Sequence, residues 1–201
     1  GARHSGKTSF AFQSAVNSAL EGRRVIVMCC EHVLCSKLPQ PLTPLCNLDK
    51  TALGRIEFVY VESIAEVVRE LSTWMTPQDV PALVIVDDDS FTDAGDARRT
   101  AQLLAALENV YEWMTRHANT HTNGTSAVGS SAVGVRFHYV LVSNNFPERS
   151  QGAELPFSAF PLVCIYVGST GSVVVHTMET DRTEVRPLQL EWDNGLILRT
   201  A

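Results

Sequence analysis

Apolar residues recur along the chain with two different periods. After Thr8, the residues Phe12, Ala15, Val16, Ala19 and Leu20 fall on one face at helical spacing, and Gly22 closes the segment. Residues 25–30 are an unbroken apolar run of buried-strand length. The stretch 36–54 holds Pro39, Pro41, Pro44 and Gly54 and reads as a loop. Ile56, Phe58 and Tyr60 then alternate with Glu57 and Val59, which predicts a strand. Ser63 can cap the next helix, with Glu66 three residues on as its capping-box partner, and Pro77 and Pro81 end that unit.

A second apolar run, 82–86, ends in Asp87-Asp88-Asp89. Leu103, Leu104, Leu107, Val110, Tyr111 and Met114 place a long helix over 97–117. Residues 118–134 are mostly Asn, Thr, Ser, Gly and Ala, with Ser-Ala-Val-Gly at 126–129 and again at 131–134, the composition of a mobile insertion. Residues 137–142 form another buried strand, followed by Ser143-Asn144-Asn145 and a Pro-containing loop over 146–161. Late strands are expected at 162–167, 172–177 and 185–192. Asn194-Gly195 turns the last of them back into 196–198. Early strands alternate with helices and late strands follow one another. The expected fold is therefore α/β, a mainly parallel central sheet flanked by helices and extended by antiparallel C-terminal strands. No boundary divides the chain, so 1–201 is read as one domain.

Composition narrows the class. With 201 residues, 45% of them hydrophobic, the chain can bury a sizeable core, which excludes a disordered chain, a coiled coil and a collagen-like fibre. No apolar run approaches the roughly 20 residues of a membrane-spanning helix, so no membrane association is expected. The net charge of −6 excludes a basic nucleic-acid wrapper and leaves room only for a local basic strip. The five cysteines are odd in number and lack a CxxC pair, so a disulfide framework or zinc site is not expected. Cys29 and Cys30, at the end of an apolar run, read as buried reduced thiols. The six histidines are scattered without metal-ligand spacing. No basic-plus-apolar leader is present, and Asn123-Gly124-Thr125 reads as a chance sequon.

The chemistry-bearing motif is Gly1-x-x-x-x-Gly6-Lys7-Thr8, a phosphate-binding loop without a mismatch. Glycines let successive backbone N–H groups turn toward one anion, and the helix behind them adds its positive end. Gly1, Ala2, Arg3, His4, Ser5 and Gly6 are the expected cradle, with Lys7, Thr8 and Ser9 opening the helix. Lys7 is expected to reach the β- and γ-phosphates of ATP, and the Thr8 hydroxyl to ligate Mg²⁺. The strand that should lead into Gly1 lies outside this sequence. Asp87, an acid at a strand's C-terminal end, is the expected holder of Mg²⁺ through water. Asp88 and Asp89 are extra, and Asp89 reads as a cap for the following turn. Glu31, after the run 25–30, is the candidate for positioning the attacking water. Asn144 and Asn145 are candidates for sensing the γ-phosphate through an amide, with Asn145 placed in the catalytic set.

This order of parts resembles the RecA-like recombinase core, with Ser143-Asn144-Asn145 standing where recombinases carry Thr-Asn-Gln. Within that family the chain is similar to the small recombinase paralogues that pair with SWIM-type zinc-finger proteins. The similarity lies in residues 55–60 with the helix after them, in 82–87, and in the hairpin around Trp192-Asp193-Asn194-Gly195. The resemblance implies a RecA-like P-loop ATPase core with ATP and Mg²⁺ as cofactors and slow hydrolysis. It implies a heterodimer with a SWIM-type zinc-finger protein and a nuclear role in homologous recombination repair, through the recombinase filament and single-stranded DNA.

The expected DNA loops depart from that family. They carry only Arg98, Arg99 and Arg149, and the Gly-rich DNA loop is absent, so DNA affinity is expected mainly from the complex. Arg23-Arg24 reads as a solvated helix end. Recombinase partners often dock through Phe-x-x-Ala, and two segments fit. Phe12 to Ala15 lies on the apolar face of the first helix and reads as core, while Phe91 to Ala94 lies in a loop and is the better docking candidate. The C-terminal hairpin offers a second docking edge. A rival reading is a structural adaptor with a vestigial nucleotide site, and Glu31 discriminates, because only the enzyme needs it. A small-molecule kinase would need an Arg-rich lid, which the sequence lacks.

Overall fold

The runs 25–30 and 82–86 lack polar positions because the strands they form have no solvent-facing side. In the computed structural model the described residues are 5–36, 38–41, 43–74, 81–118 and 137–144, together with the backbone of strands at 162–169, 172–179, 184–192 and 196–199. Four strands, β1 (Val25–Cys29), β2 (Ile56–Tyr60), β3 (Leu83–Asp87) and β4 (His138–Val142), form an all-parallel sheet in the order β2-β1-β3-β4. The central strands β1 and β3 are buried along their whole length, whereas the outer strand β2 is largely exposed.

Period two assigns each strand residue to a face. Val25, Val27 and Cys29 of β1, with Leu83 and Ile85 of β3, pack on helix α1 (Lys7–Leu20) through Phe12, Ala15, Val16 and Ala19. Ile26, Met28, Val84 and Val86 pack on the opposite layer. There helix α4 (Ile64–Thr73) contributes Ile64, Val67 and Leu71, and helix α5 (Ala97–Ala118) contributes Leu103, Leu107, Val110 and Met114. Each large apolar side chain so buried contributes about 1.5–3 kcal/mol.

The helix ends follow from local sequence. Gly22 takes φ +82° after α1, and the N–H groups of Gly22 and Arg23 return to the carbonyls of Ala19 and Ser18. Ser63 caps α4 by accepting the Glu66 N–H at 3.2 Å, while the Glu66 carboxylate accepts the Glu62 N–H at 2.9 Å. Asp93 adds a clamp that the capping-box reading did not contain, accepting the N–H groups of Ile64 and Ala65 at 2.6 and 3.2 Å. Asp96 caps α5 through the N–H groups of Arg98 and Arg99.

Three sequence expectations are corrected. Strand β1 stops at Cys29, and Glu31 is the first residue of a short helix, α2 (Glu31–Ser36), rather than a strand end. The segment read as loop over 36–54 also holds a 3-10 turn at Leu45–Asn47 and helix α3 (Lys50–Leu53), which Asp49 caps by accepting the Ala52 N–H at 2.6 Å. Proline density hid that one-turn helix. Finally, among the described residues the C-terminal strands do not extend the parallel sheet. Among the described residues, β5 (Leu162–Ser169), β6 (Ser172–Glu179), β7 (Glu184–Trp192) and β8 (Leu196–Arg199) pair only with one another, as an antiparallel sheet in chain order. Connections two to four residues long make neighbour pairing the least costly closure. Pro187, which has no ladder donor, falls where the β6–β7 register shifts, between the pairs Val185–Thr177 and Leu188–Val175.

The docking expectation for Phe91 is also overturned. Phe91 and Ala94 are each 5% exposed and belong to the core beside α4 and α5, because the Thr92 N–H bonds to the Glu62 carbonyl and Asp93 ties the turn to α4. Phe12 and Ala15 are core, as read from the helical pattern. Of the insertion expected at 118–134, Ala118 ends α5 and residues 119–134 lie outside the described residues, as do Gly1 to His4, Asn145, the loop 146–161 with Arg149 and the turn at Asn194-Gly195. Among the described residues, no helix is long and apolar enough to cross a membrane.

Candidate functional site

Parallel pairing brings the C-terminal ends of β1, β3 and β4 to one edge of the sheet, and helix α1 starts there. Gly6 makes that start possible. Its φ of +82° lies in the left-handed region, which an L side chain resists, and it serves as the N-cap with no side-chain cap of its own. As a glycine, Gly6 supplies no side-chain cap to the first turn of α1.

Six side chains from three distant segments of the chain converge at this edge. Lys7 Nζ donates to Asn144 Oδ1 at 2.9 Å and to Ser5 Oγ at 3.2 Å. Thr8 Oγ1 donates to Asp87 Oδ2 at 2.6 Å. Asn144 Nδ2 donates to Asp89 Oδ1 at 2.9 Å, and the Asp89 N–H donates to Asp87 Oδ1 at 3.2 Å. The Asp88 N–H bonds to the Val142 carbonyl, which fastens the tip of β3 to that of β4. The turn cap is thus Asp87, whose carboxylate accepts the N–H two residues on. Asp89, read from sequence as the cap, instead joins the polar network.

Asp87 is 7% exposed. Burial pushes its carboxyl above the usual aspartate range, and the charge of Asp89 adds to that push. The Thr8 hydroxyl, the Asp89 N–H and the Lys7 ammonium oppose it. A divalent cation beside Thr8 and Asp87 would favour the ionised carboxylate. The donor set fits magnesium, which prefers hard oxygens and keeps several waters. Among the described residues, no group of three or more His, Cys, Asp or Glu could hold a metal. Thr8 and Asp87 would therefore supply two oxygen positions, with water and phosphate supplying the rest.

The remaining sequence candidates are distributed differently. Ser9 is buried, and its Oγ accepts the Gln40 N–H at 3.0 Å, so it braces the loop after α2. Glu31 is exposed on the first turn of α2. It takes no part in the hydrogen bonds joining Lys7, Thr8, Asp87, Asp89 and Asn144. Its charge acts on Tyr60 of β2, whose phenol is raised first by desolvation and then by Cys35, Glu31 and Cys29. Of the two candidate asparagines, Asn144 accepts from Lys7, and Asn145 lies outside the described residues. Strand period carried that signal. Val140 and Val142 face α1, and Asn144 continues the same parity.

The cationic candidates are modest. Arg99 donates to Gln102 Oε1 at 3.0 Å along the first turns of α5. Arg23 pairs with Glu21 at 3.1 Å, and Arg24 makes a two-pronged bond to Glu57 at 2.8 Å on each prong. The pair read as a solvated helix end thus holds its charges against neighbouring carboxylates. Cys29 and Cys30 are buried free thiols, and Cys35 and Cys46 are exposed free thiols.

The chain matches no model in a scan of known protein families, and a search of curated proteins finds no relative.

Proposed function

We propose that this chain is a RecA-like P-loop ATPase that binds ATP with Mg²⁺ and hydrolyses it slowly. The observation that carries this reading is the convergence of Lys7 and Thr8, at the start of α1, on Asn144 and Asp87 at the tips of β4 and β3. Lys7 would exchange its bond to the Asn144 carbonyl for phosphate oxygens. Thr8 and Asp87, now hydrogen-bonded to each other, would turn the same oxygens toward the metal. Bound Mg²⁺ supplies neutralisation of charge on the phosphate oxygens. Glu31, two residues beyond the end of β1, would act as the base that orients water.

The biological setting follows from the family resemblance. It is a nuclear complex with a SWIM-type zinc-finger protein that supports recombinase filaments on single-stranded DNA during homologous recombination repair. Net charge of −6 and the pairing of Arg23 and Arg24 with carboxylates support DNA binding through the complex rather than by this chain alone. A second reading, a structural adaptor with a vestigial nucleotide site, is favoured by one observation, the exposed position of Glu31 outside the polar network.

Equilibrium binding of a fluorescent ATP analogue tests the site. Lys7→Ala removes the point charge that meets the phosphates and should weaken binding at least about tenfold, the loss of one charge-assisted contact. Unchanged affinity rejects the site. Binding without turnover, alone and with the partner, selects the adaptor.

A further inference from the structure

The amide of Asn144 is engaged at both ends. Its Oδ1 accepts from Lys7 Nζ at 2.9 Å and its Nδ2 donates to Asp89 Oδ1 at 2.9 Å. An ammonium can only donate and an ionised carboxylate can only accept. The two partners therefore leave the amide one orientation, with its carbonyl toward the phosphate-loop lysine and its NH₂ toward the tip of β3. Asp89 is well placed to impose this. Its own N–H is bound to Asp87, and the preceding N–H, that of Asp88, ties β3 to β4.

A phosphate oxygen that takes over the Lys7 donor also takes the place of Asn144 Oδ1, and so comes to lie against the amide. Phosphate oxygens are acceptors. A carbonyl facing them is repelled, whereas an NH₂ facing them makes a hydrogen bond. We propose that Asp89 is a positioning residue that holds Asn144 with its acceptor toward the phosphate site, and thereby restrains the preference of the site for nucleoside triphosphate over diphosphate. The γ-phosphate adds oxygens and charge at the sheet edge where Asn144 stands, so the triphosphate bears more of the mismatch. Releasing the amide lets Asn144 turn its NH₂ toward the γ-phosphate. This inference rests on the nucleotide-site reading above.

The test is a double-mutant cycle on the full chain. Dissociation constants are measured, with Mg²⁺ present, for a non-hydrolysable ATP analogue and for ADP in the parent, Asp89→Ala, Asn144→Ala and the double variant. Asp89→Ala should raise the preference for the ATP analogue about fivefold, the size of one net hydrogen bond. In the Asn144→Ala background the same substitution should leave the preference unchanged, which separates amide positioning from simple loss of a negative charge. An unchanged preference in Asp89→Ala, or an equal rise in both backgrounds, overturns the inference while leaving the nucleotide site standing. A parent that binds neither nucleotide rejects the site reading and the inference with it.

A second measurement follows the side-chain NH₂ resonance of Asn144, assigned by its loss in Asn144→Ala. The ATP analogue should shift it far more in Asp89→Ala than in the parent, where Asp89 holds the NH₂. Equal shifts in the two proteins count against the inference.

Discussion

Thr8 and Asp87 stand 79 positions apart in sequence, yet their side chains share a 2.6 Å hydrogen bond at the edge of the parallel sheet. The bond places the hydroxyl of the first helical turn against the last residue of the central strand. Each oxygen is the kind a magnesium ion accepts, and each is satisfied by the other. The pair thus sets two hard oxygens side by side without leaving a buried polar group bare.

Thr8→Ala should separate these two roles. Removing the hydroxyl takes one hydrogen bond from a buried carboxyl, a loss of about 1–3 kcal/mol. Urea unfolding of the variant, without nucleotide, measures it. In nucleotide titrations the variant should lose most of the dependence of affinity on Mg²⁺. Retention of the full Mg²⁺ dependence would move the metal site away from Thr8.

Glu31→Gln keeps shape and removes the basic carboxylate. Nucleotide affinity should stay within about twofold, because Glu31 lies outside the network around Lys7. Any ATP turnover measured with the partner should drop by about 10²–10⁴, the usual contribution of a general base. Turnover equal to the parent would direct the search for the base to Asp88 or Asp89.

Phe91→Ala should act on stability and not on docking. The ring is buried with α4 and α5, and comparable truncations cost about 3–5 kcal/mol. The denaturation midpoint should fall accordingly. A variant with parental stability but weakened recombinase binding would restore Phe91 as a docking anchor.

The Arg24–Glu57 pair predicts a pH effect. Hydrogen bonding to Arg24 holds the Glu57 carboxyl below its ordinary value, against a smaller opposing push from desolvation. A depressed folded-state value stabilises the protein above the unfolded value, about 4.3. That contribution is lost as pH falls through the folded-state value. Both side chains are substantially exposed, so the effect should be small and screened by salt. Comparing parent with Glu57→Gln, the difference in stability should shrink as pH drops below the carboxylate range and should narrow at high ionic strength. A difference independent of pH would assign the pair a purely packing role.

Parallel strands, the burial of β1 and β3 and the longer helices were legible in sequence, whereas β4, read as buried, is buried only at Val142. The unbroken runs ending at Cys30 and Val86 could only be strands covered on both faces, and the spacing of Leu103, Leu107 and Met114 left one face for the core. Strand parity, which puts Asn144 on the α1 face with Val140 and Val142, was there to be read, yet the sequence reading placed Asn145 in the catalytic set. The phosphate-loop motif announced Lys7 and Thr8, and the apolar run before Asp87 announced their partner.

Other features depended on contacts between distant segments. Phe91 looked exposed in a loop, because nothing local shows that Asp93 folds the turn onto the N-terminus of α4. Asp89 looked like a turn cap, because its partner Asn144 lies 55 positions away. Glu31 looked like a strand end, because sequence does not mark where β1 stops and α2 begins. The C-terminal strands were visible as strands, but which sheet they join is a matter of pairing, and pairing is set by closure cost and register rather than by composition. By itself the sequence determined the longer elements, the faces they bury and the phosphate-loop motif, since those follow from periodicity and residue type within short windows. Only the tertiary structure decided which polar side chains meet, because a hydrogen bond between Lys7 and Asn144 or Thr8 and Asp87 depends on the parallel register that brings three strand ends to one edge.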